Sequence, residues 1–196
     1  TKLSVSFDWE KQYLYGIANL TLSPYFYPQK TVVLDAKGFN VDYVKLKENN
    51  NYSSLKFDYD SLELVIFLDT TYHRNQKYEI EIKYTAKPNE LKKGGSKAIS
   101  SDKGLYFINP LGEDTTKPTQ IWTQGETQAS SCWFPTIDAP NQKTSQEMYI
   151  TVDSIYTVLS NGELVYKREN SNGTNTFYWK QEKPHAPYLF MMAVGE

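Results

Sequence analysis

Hydrophobic and polar residues alternate along most of this chain. Leu3, Val5, Phe7 and Trp9 take every second position, with Ser4, Ser6 and Asp8 between them. That is the period of a strand with one buried face. Leu14, Ala18, Leu20 and Leu22 share a face in a second run, and Glu10-Lys11-Gln12 reads as the turn of a hairpin. Thr31 to Leu34 is a short buried-type strand. Phe39, Val41 and Tyr43 alternate, then Val44 and Leu46 continue in the opposite phase, which predicts a bulge or bend. Leu55, Phe57 and Tyr59, then Leu62, Leu64, Ile66 and Leu68, form two runs around an Asp60-Ser61 turn. The cleanest strand is Tyr78, Ile80, Ile82 and Tyr84. A one-residue slip there would bury Glu79, Glu81 and Lys83, so its register is set.

Lys87 to Lys103 breaks the pattern with Pro, Gly and five Lys, and reads as a mobile surface loop. Strands resume at Leu105, at Gln120, and at Met148, Ile150 and Val152. Ser160-Asn161-Gly162-Glu163 is a turn signal. Phe177 and Trp179 start another strand, and Tyr188 to Val194 reads as an apolar terminal strand. That makes roughly a dozen strands and no long helix. The fold class expected is all-β: one domain over residues 1–196, built as a saddle-like antiparallel sheet or sandwich.

Composition supports this. Sixteen Tyr, nine Phe and four Trp make 15% of 196 residues aromatic, and aromatics favour pleated, half-buried surfaces. The net charge of -2 removes the electrostatic case for a nucleic-acid partner. No apolar run reaches the ~18 residues of a membrane span.

Candidate chemistry is thin. His73 and His185 are the only histidines, and Cys132 is the only cysteine. No zinc or iron constellation is visible among them. His73 reads as part of a solvated turn, His185 as a residue at a strand entry, and Cys132 as a small buried hydrophobe. Phosphate-binding glycine loops and the G-x-S-x-G elbow are missing. Glu126 stands out among the carboxylates. It lies in polar but uncharged company, between Trp122-Thr123-Gln124-Gly125 and Thr127-Gln128-Ala129-Ser130, where a single carboxylate is suited to hold a cation.

Thr123-Gln124-Gly125-Glu126, followed by Trp133-Phe134-Pro135-Thr136-Ile137-Asp138-Ala139-Pro140-Asn141-Gln142-Lys143, resembles the T-Q-x-E/Q … F-P-C-x-D-x-P-x-x-K signature of the aminopeptidase N family. These are zinc metallopeptidases, and they include leukotriene A4 hydrolase. Val32 to Lys37 resembles the family's L-x-L-D-x-K segment, Val158 to Gly162 its S-N-G turn, and Pro187 to Gly195 its P-Y-L-x-A-x-x-V-G ending.

The resemblance implies the N-terminal β domain of a larger aminopeptidase, with the catalytic domain absent from this chain. G-x-M-E-N and H-E-x-x-H do not occur, so no catalytic residue and no metal ligand is assigned here. Zinc would belong to the parent's catalytic domain, and no cofactor to this chain. The implied partners are that C-terminal catalytic domain and the N-terminus of a peptide substrate. By the resemblance, Glu126 matches the acidic position that binds the substrate's α-ammonium, and Gln124 the Gln lining the pocket for the first side chain. Trp133, Phe134 and Pro135 read as core and turn residues, and Asp138 as a brace of the Asp-x-Pro turn. The pattern departs at Ser131, where many relatives carry Arg, and at Thr136, where they carry Cys.

Two other classes compete. One is a carbohydrate- or peptide-binding β-sandwich, suggested by the aromatic load. The other is a scaffold whose parent has lost catalysis, against which the intact Thr123-to-Glu126 segment speaks. The Tyr-, Asn- and Lys-rich composition is compatible with a bacterial periplasmic or envelope setting.

Overall fold

The two runs at the start of the chain pair as antiparallel strands β1 (Lys2–Asp8) and β2 (Tyr13–Leu22). The turn between them includes Gln12 at φ 58. The computed structural model describes residues 1–49, 51–91 and 103–196. Among these are fifteen strands and three single-turn 3-10 helices, with no α-helix. The fold is all-β, as the alternation predicts.

The strands form three sheets. The largest takes the order β13-β14-β11-β1-β2-β8-β4-β5. Its remaining members are β4 (Phe39–Glu48), β5 (Asn51–Ser54), β8 (Tyr78–Ala86), β11 (Thr144–Asp153), β13 (Glu163–Glu169) and β14 (Thr174–His185). The β1–β11 pair is parallel and the other ladders are antiparallel, so this sheet is mixed. A three-stranded sheet joins β3 (Gln29–Asp35), β7 (Glu63–Tyr72) and β6 (Lys56–Tyr59). A four-stranded sheet runs β12 (Thr157–Ser160), β15 (Met192–Gly195), β10 (Gln120–Thr123) and β9 (Leu105–Ile108).

Register follows burial. In β8, Tyr78, Ile80, Ile82 and Tyr84 are buried, while Glu79 and Glu81 are half-buried and Lys83 is exposed. The phase change in β4 is a register shift against β8 between Val41 and Tyr43. One apolar cluster takes residues from all three sheets, including Leu3, Ile82, Leu64, Ile66, Ile121 and Val194. The sheets therefore close on a shared core in a sandwich-like arrangement.

Some expectations change in detail. Pro187–Leu189 is a 3-10 turn, so the terminal strand begins only at Met192. The reason is local: Pro187 at the first helical position lacks a ladder donor. His185 ends β14 rather than entering a strand. Most of the loop expected at Lys87 to Lys103 lies outside the described residues; its described start is a 3-10 turn at Pro88–Glu90.

Candidate functional site

Gln124 and Glu126 follow directly after β10, at one end of the four-stranded sheet. Both side chains are exposed, and Gly125 between them is buried. The loop is tied down at each step. The Thr123 Oγ1 accepts from the Met192 N–H at 3.0 Å and donates to the Met192 carbonyl at 3.4 Å. The Gln124 N–H donates to the Gly104 carbonyl at 2.9 Å, and the Ala129 N–H returns to the Gly125 carbonyl at 2.9 Å. A Cβ on Gly125 would stand 2.2 Å from the Tyr188 carbonyl oxygen and 2.7 Å from the Ser130 Oγ. The position needs glycine because another stretch of backbone passes there. The peptide bond joining Glu126 to Thr127 is cis.

Below the tip the packing is dense. Ser130, Ser131, Trp133 and Phe134 are fully buried. The Ser130 hydroxyl donates to the Pro187 carbonyl at 2.8 Å. Asp138 is buried, and its Oδ2 accepts from both the backbone N–H and the hydroxyl of Ser131 at 2.9 Å each. Burial pushes the Asp138 carboxyl up, against the two Ser131 hydrogen bonds that lower it. The Asp138 N–H in turn donates to Asp35 Oδ2 at 2.8 Å. Asp35 also exchanges backbone hydrogen bonds with Thr136, at 2.7 and 3.1 Å, and the Lys37 N–H donates to the Ser131 carbonyl at 2.8 Å. Cys132 is buried.

The four sequence segments singled out above thus meet in space. Asp35 to Lys37 grips residues 131–138. Ser160 donates its hydroxyl to the Met191 carbonyl at 2.7 Å. Asn161 takes the Met191 N–H at 2.8 Å and donates to the Leu189 carbonyl at 3.0 Å. That fixes the segment whose Tyr188 carbonyl packs on Gly125. The result is a rigid platform presenting one carboxylate and one carboxamide to solvent. Among the described residues, no Lys or Arg lies within ion-pair distance of Glu126. Such a carboxylate can accept charge-assisted hydrogen bonds from an incoming cation.

Neither histidine is hydrogen-bonded to Gln124 or Glu126 among the described contacts. His73 is exposed in a turn. His185 is half-buried, bonded through Nε2 to Gln146 Oε1 at 3.0 Å and stacked on Phe190. Among the described residues, no three His, Cys, Asp or Glu side chains gather as a metal site. The supporting roles of Ser130, Thr123 and Tyr188 carry no local sequence signal, because the partners of Ser130 and Thr123 lie 57 and 69 residues away in the chain.

The family model of the peptidase M1 N-terminal domain matches residues 1–189. The chain belongs to that family. Leucine aminopeptidase 2 of Yarrowia lipolytica is 21% identical over 196 residues, covering 100% of this chain and 28% of that protein. Aminopeptidase B of Mus musculus is 24% identical over 98 residues, 50% of this chain and 14% of that protein. This M1 N-terminal domain therefore spans well under a third of the curated relatives it matches. An M1 zinc metallopeptidase from Deinococcus radiodurans shares the fold, with TM-score 0.80 at 18% identity, over 99% of this chain and 40% of that one. Legionella pneumophila aminopeptidase A, solved with aspartic acid, matches with TM-score 0.73 at 18% identity, over 100% of this chain and 21% of that one.

Proposed function

We propose that this M1 N-terminal domain serves a zinc aminopeptidase as one wall of its active-site cleft. In this reading Glu126 pairs with the free α-ammonium of the peptide, and Gln124 lines the pocket for the first side chain. The observation that supports it is the convergence just described. Thr123, Gly125, Ser130 and Asp138 hold the loop through their backbone and side-chain contacts; Gln124 and Glu126 stay exposed, with the Gln124 Oε1 accepting from the Glu126 N–H at 3.4 Å.

The chemistry follows from that geometry. An ammonium entering a closed cleft loses water and must be paired. A carboxylate on a fixed backbone pairs it directionally. Holding the amino end at one point also decides which peptide bond reaches the reacting centre, so cleavage is confined to the first residue. The residues of this chain bind and orient. They gather no metal site among those described, and hydrolysis belongs to the parent's catalytic domain, where zinc would act as the Lewis acid.

The face beside the loop fits the same partner. Leu159, Ala193, Trp122 and Tyr106 lie in register across the four-stranded sheet. Trp122 and Leu159 are exposed, and the Trp122 and Tyr106 rings stack with centroids 4.5 Å apart. Gln124 N–H continues this ladder through its bond to Gly104. An apolar row that crosses the sheet at Trp122, two residues before Gln124, is suited to pack against the catalytic domain.

Analysis of the native gene product tests the reading. Intact mass and metal content should reveal a longer polypeptide holding zinc, and it should release amino acids from aminoacyl anilides but not from their N-acetylated forms. A product with no zinc and no such activity overturns it.

A further inference from the structure

We infer that the turn between β2 and β3 is a peripheral membrane contact, one that seats aromatic rings among the headgroups of an anionic bilayer. It is independent of the cleft. Tyr25, Phe26 and Tyr27 are 69%, 78% and 79% exposed. Three adjacent large aromatics this exposed form an unusual solvent-facing feature. The turn is prebuilt. Pro24 is buried at its base and Pro28 closes it. Phe26 packs edge-on against Tyr25 with centroids 4.6 Å apart, and Tyr27 lies 6.5 Å from Phe26. The rings support one another and present their remaining surface outward.

Charge names the partner. The Arg74 guanidinium sits over the Tyr25 ring at 5.6 Å. Gln29 pairs with Tyr72, which brings the turn beside residues 72–77. Residues 23–34 contain Lys30 and no acid, and residues 70–78 contain His73, Arg74 and Lys77 and no acid. The neighbouring Asp69 accepts from the Tyr72 hydroxyl at 3.0 Å. Among the described residues, Lys30, Arg74 and Lys77 are in no ion pair. Lys77 lines a cleft with Glu48 and Glu79, so the cation the structure places at the aromatic tip is Arg74, on the Tyr25 ring, with Lys30 following on the adjoining strand. Tyr rings favour the bilayer interface, where an apolar body and a polar hydroxyl are both satisfied, and Phe26 can enter the acyl boundary. Lys and Arg near the surface add attraction to anionic lipid. A protruding tip suits a deformable lipid surface better than a shaped pocket, and three residues are too few for a stable protein interface.

Co-sedimentation of the full-length protein with vesicles tests this, using phosphatidylcholine alone and phosphatidylcholine mixed with phosphatidylglycerol. Binding should appear with phosphatidylglycerol and weaken as salt is raised. Phe26→Ser should lower the partition constant about tenfold, and Arg74→Glu should remove most of the phosphatidylglycerol dependence. Thermal melting of both variants should stay close to the parent, since neither side chain supports the core. No binding to either vesicle at low salt overturns the inference. So does binding that Phe26→Ser leaves unchanged. Concentration-dependent self-association that Phe26→Ser abolishes, without vesicle binding, also overturns it and assigns the tip to a second copy.

Discussion

The carbonyl oxygen of Tyr188 fills the space that a side chain on Gly125 would need. A Cβ there would lie 2.2 Å from it. Gly125→Ala must therefore push apart the Gln124–Glu126 loop and the turn at Pro187–Leu189. We expect destabilisation on the order of 1–3 kcal/mol, read as a lower urea midpoint. On the proposed role of Glu126, KM for aminoacyl anilides in the full-length protein should rise, because Glu126 moves with Gly125. An unchanged midpoint would mean that the two segments separate at little cost.

Asp138 is the buried brace beneath the same loop. Asp138→Ala leaves the buried Ser131 N–H without its acceptor, while the hydroxyl keeps the Gln128 carbonyl at 3.3 Å; the loss should cost on the order of 1–3 kcal/mol. Asp138→Asn keeps an acceptor and should cost less. Urea unfolding of the two variants separates loss of the hydrogen bonds from loss of the charge.

The pH dependence of Asp138 has a definite sign. Burial raises its folded-state carboxyl above the ordinary value of about 3.9. The folded chain thus holds this proton more tightly than the unfolded chain does. Its contribution favours folding below about pH 3.9 and is lost as pH rises through the folded value. Asp8, Asp60 and Asp114 have the opposite sign. Backbone N–H donors lead for Asp8 and Asp60, and the Thr116 hydroxyl leads for Asp114; each carboxyl is held below the usual range. Their contributions are present at neutral pH and fade as pH falls through the folded values. Asp138→Asn should therefore make stability rise more steeply from acid to neutral pH than in the parent, in urea melts across that range.

Gly16 and Tyr84 face each other across β2 and β8. The Tyr84 ring lies over the glycine, and its hydroxyl donates to the buried Trp133 carbonyl at 3.0 Å. Burial raises the Tyr84 hydroxyl's pKa, which keeps it a donor. Tyr84→Phe should cost on the order of 1–3 kcal/mol. Gly16→Ala would bring a Cβ to 2.3 Å from the ring and displace that hydroxyl too. Thermal unfolding of the double variant should show less than the sum of the single effects.

Much of this fold is legible in the sequence, because a half-buried strand imposes a period of two. Tyr78 to Tyr84 and the phase change after Val41 could be placed from pattern alone. The stretch from Tyr188 to Val194 could not. Its residues are apolar throughout, yet Pro187 and the approach to Gly125 turn the backbone there into a 3-10 helix. β13 escapes detection by burial, since all seven of its residues are exposed. At the candidate site, Gln124 and Glu126 look like ordinary loop residues to any hydropathy reading. The motif resemblance singles them out. What makes the loop rigid is non-local, linking Asp138 to Asp35 across 103 residues and Thr123 to Met192 across 69. No local pattern carries such pairings.

Kinetics of the full-length protein decide whether Glu126 holds the substrate's α-ammonium, as proposed. Glu126→Ala should lower kcat/KM for aminoacyl anilides on the order of a hundredfold, the loss of one charge-assisted hydrogen-bonded pair. Zinc content and the urea midpoint should stay at parent levels, because the side chain is exposed. An unchanged kcat/KM with zinc intact would contradict the account.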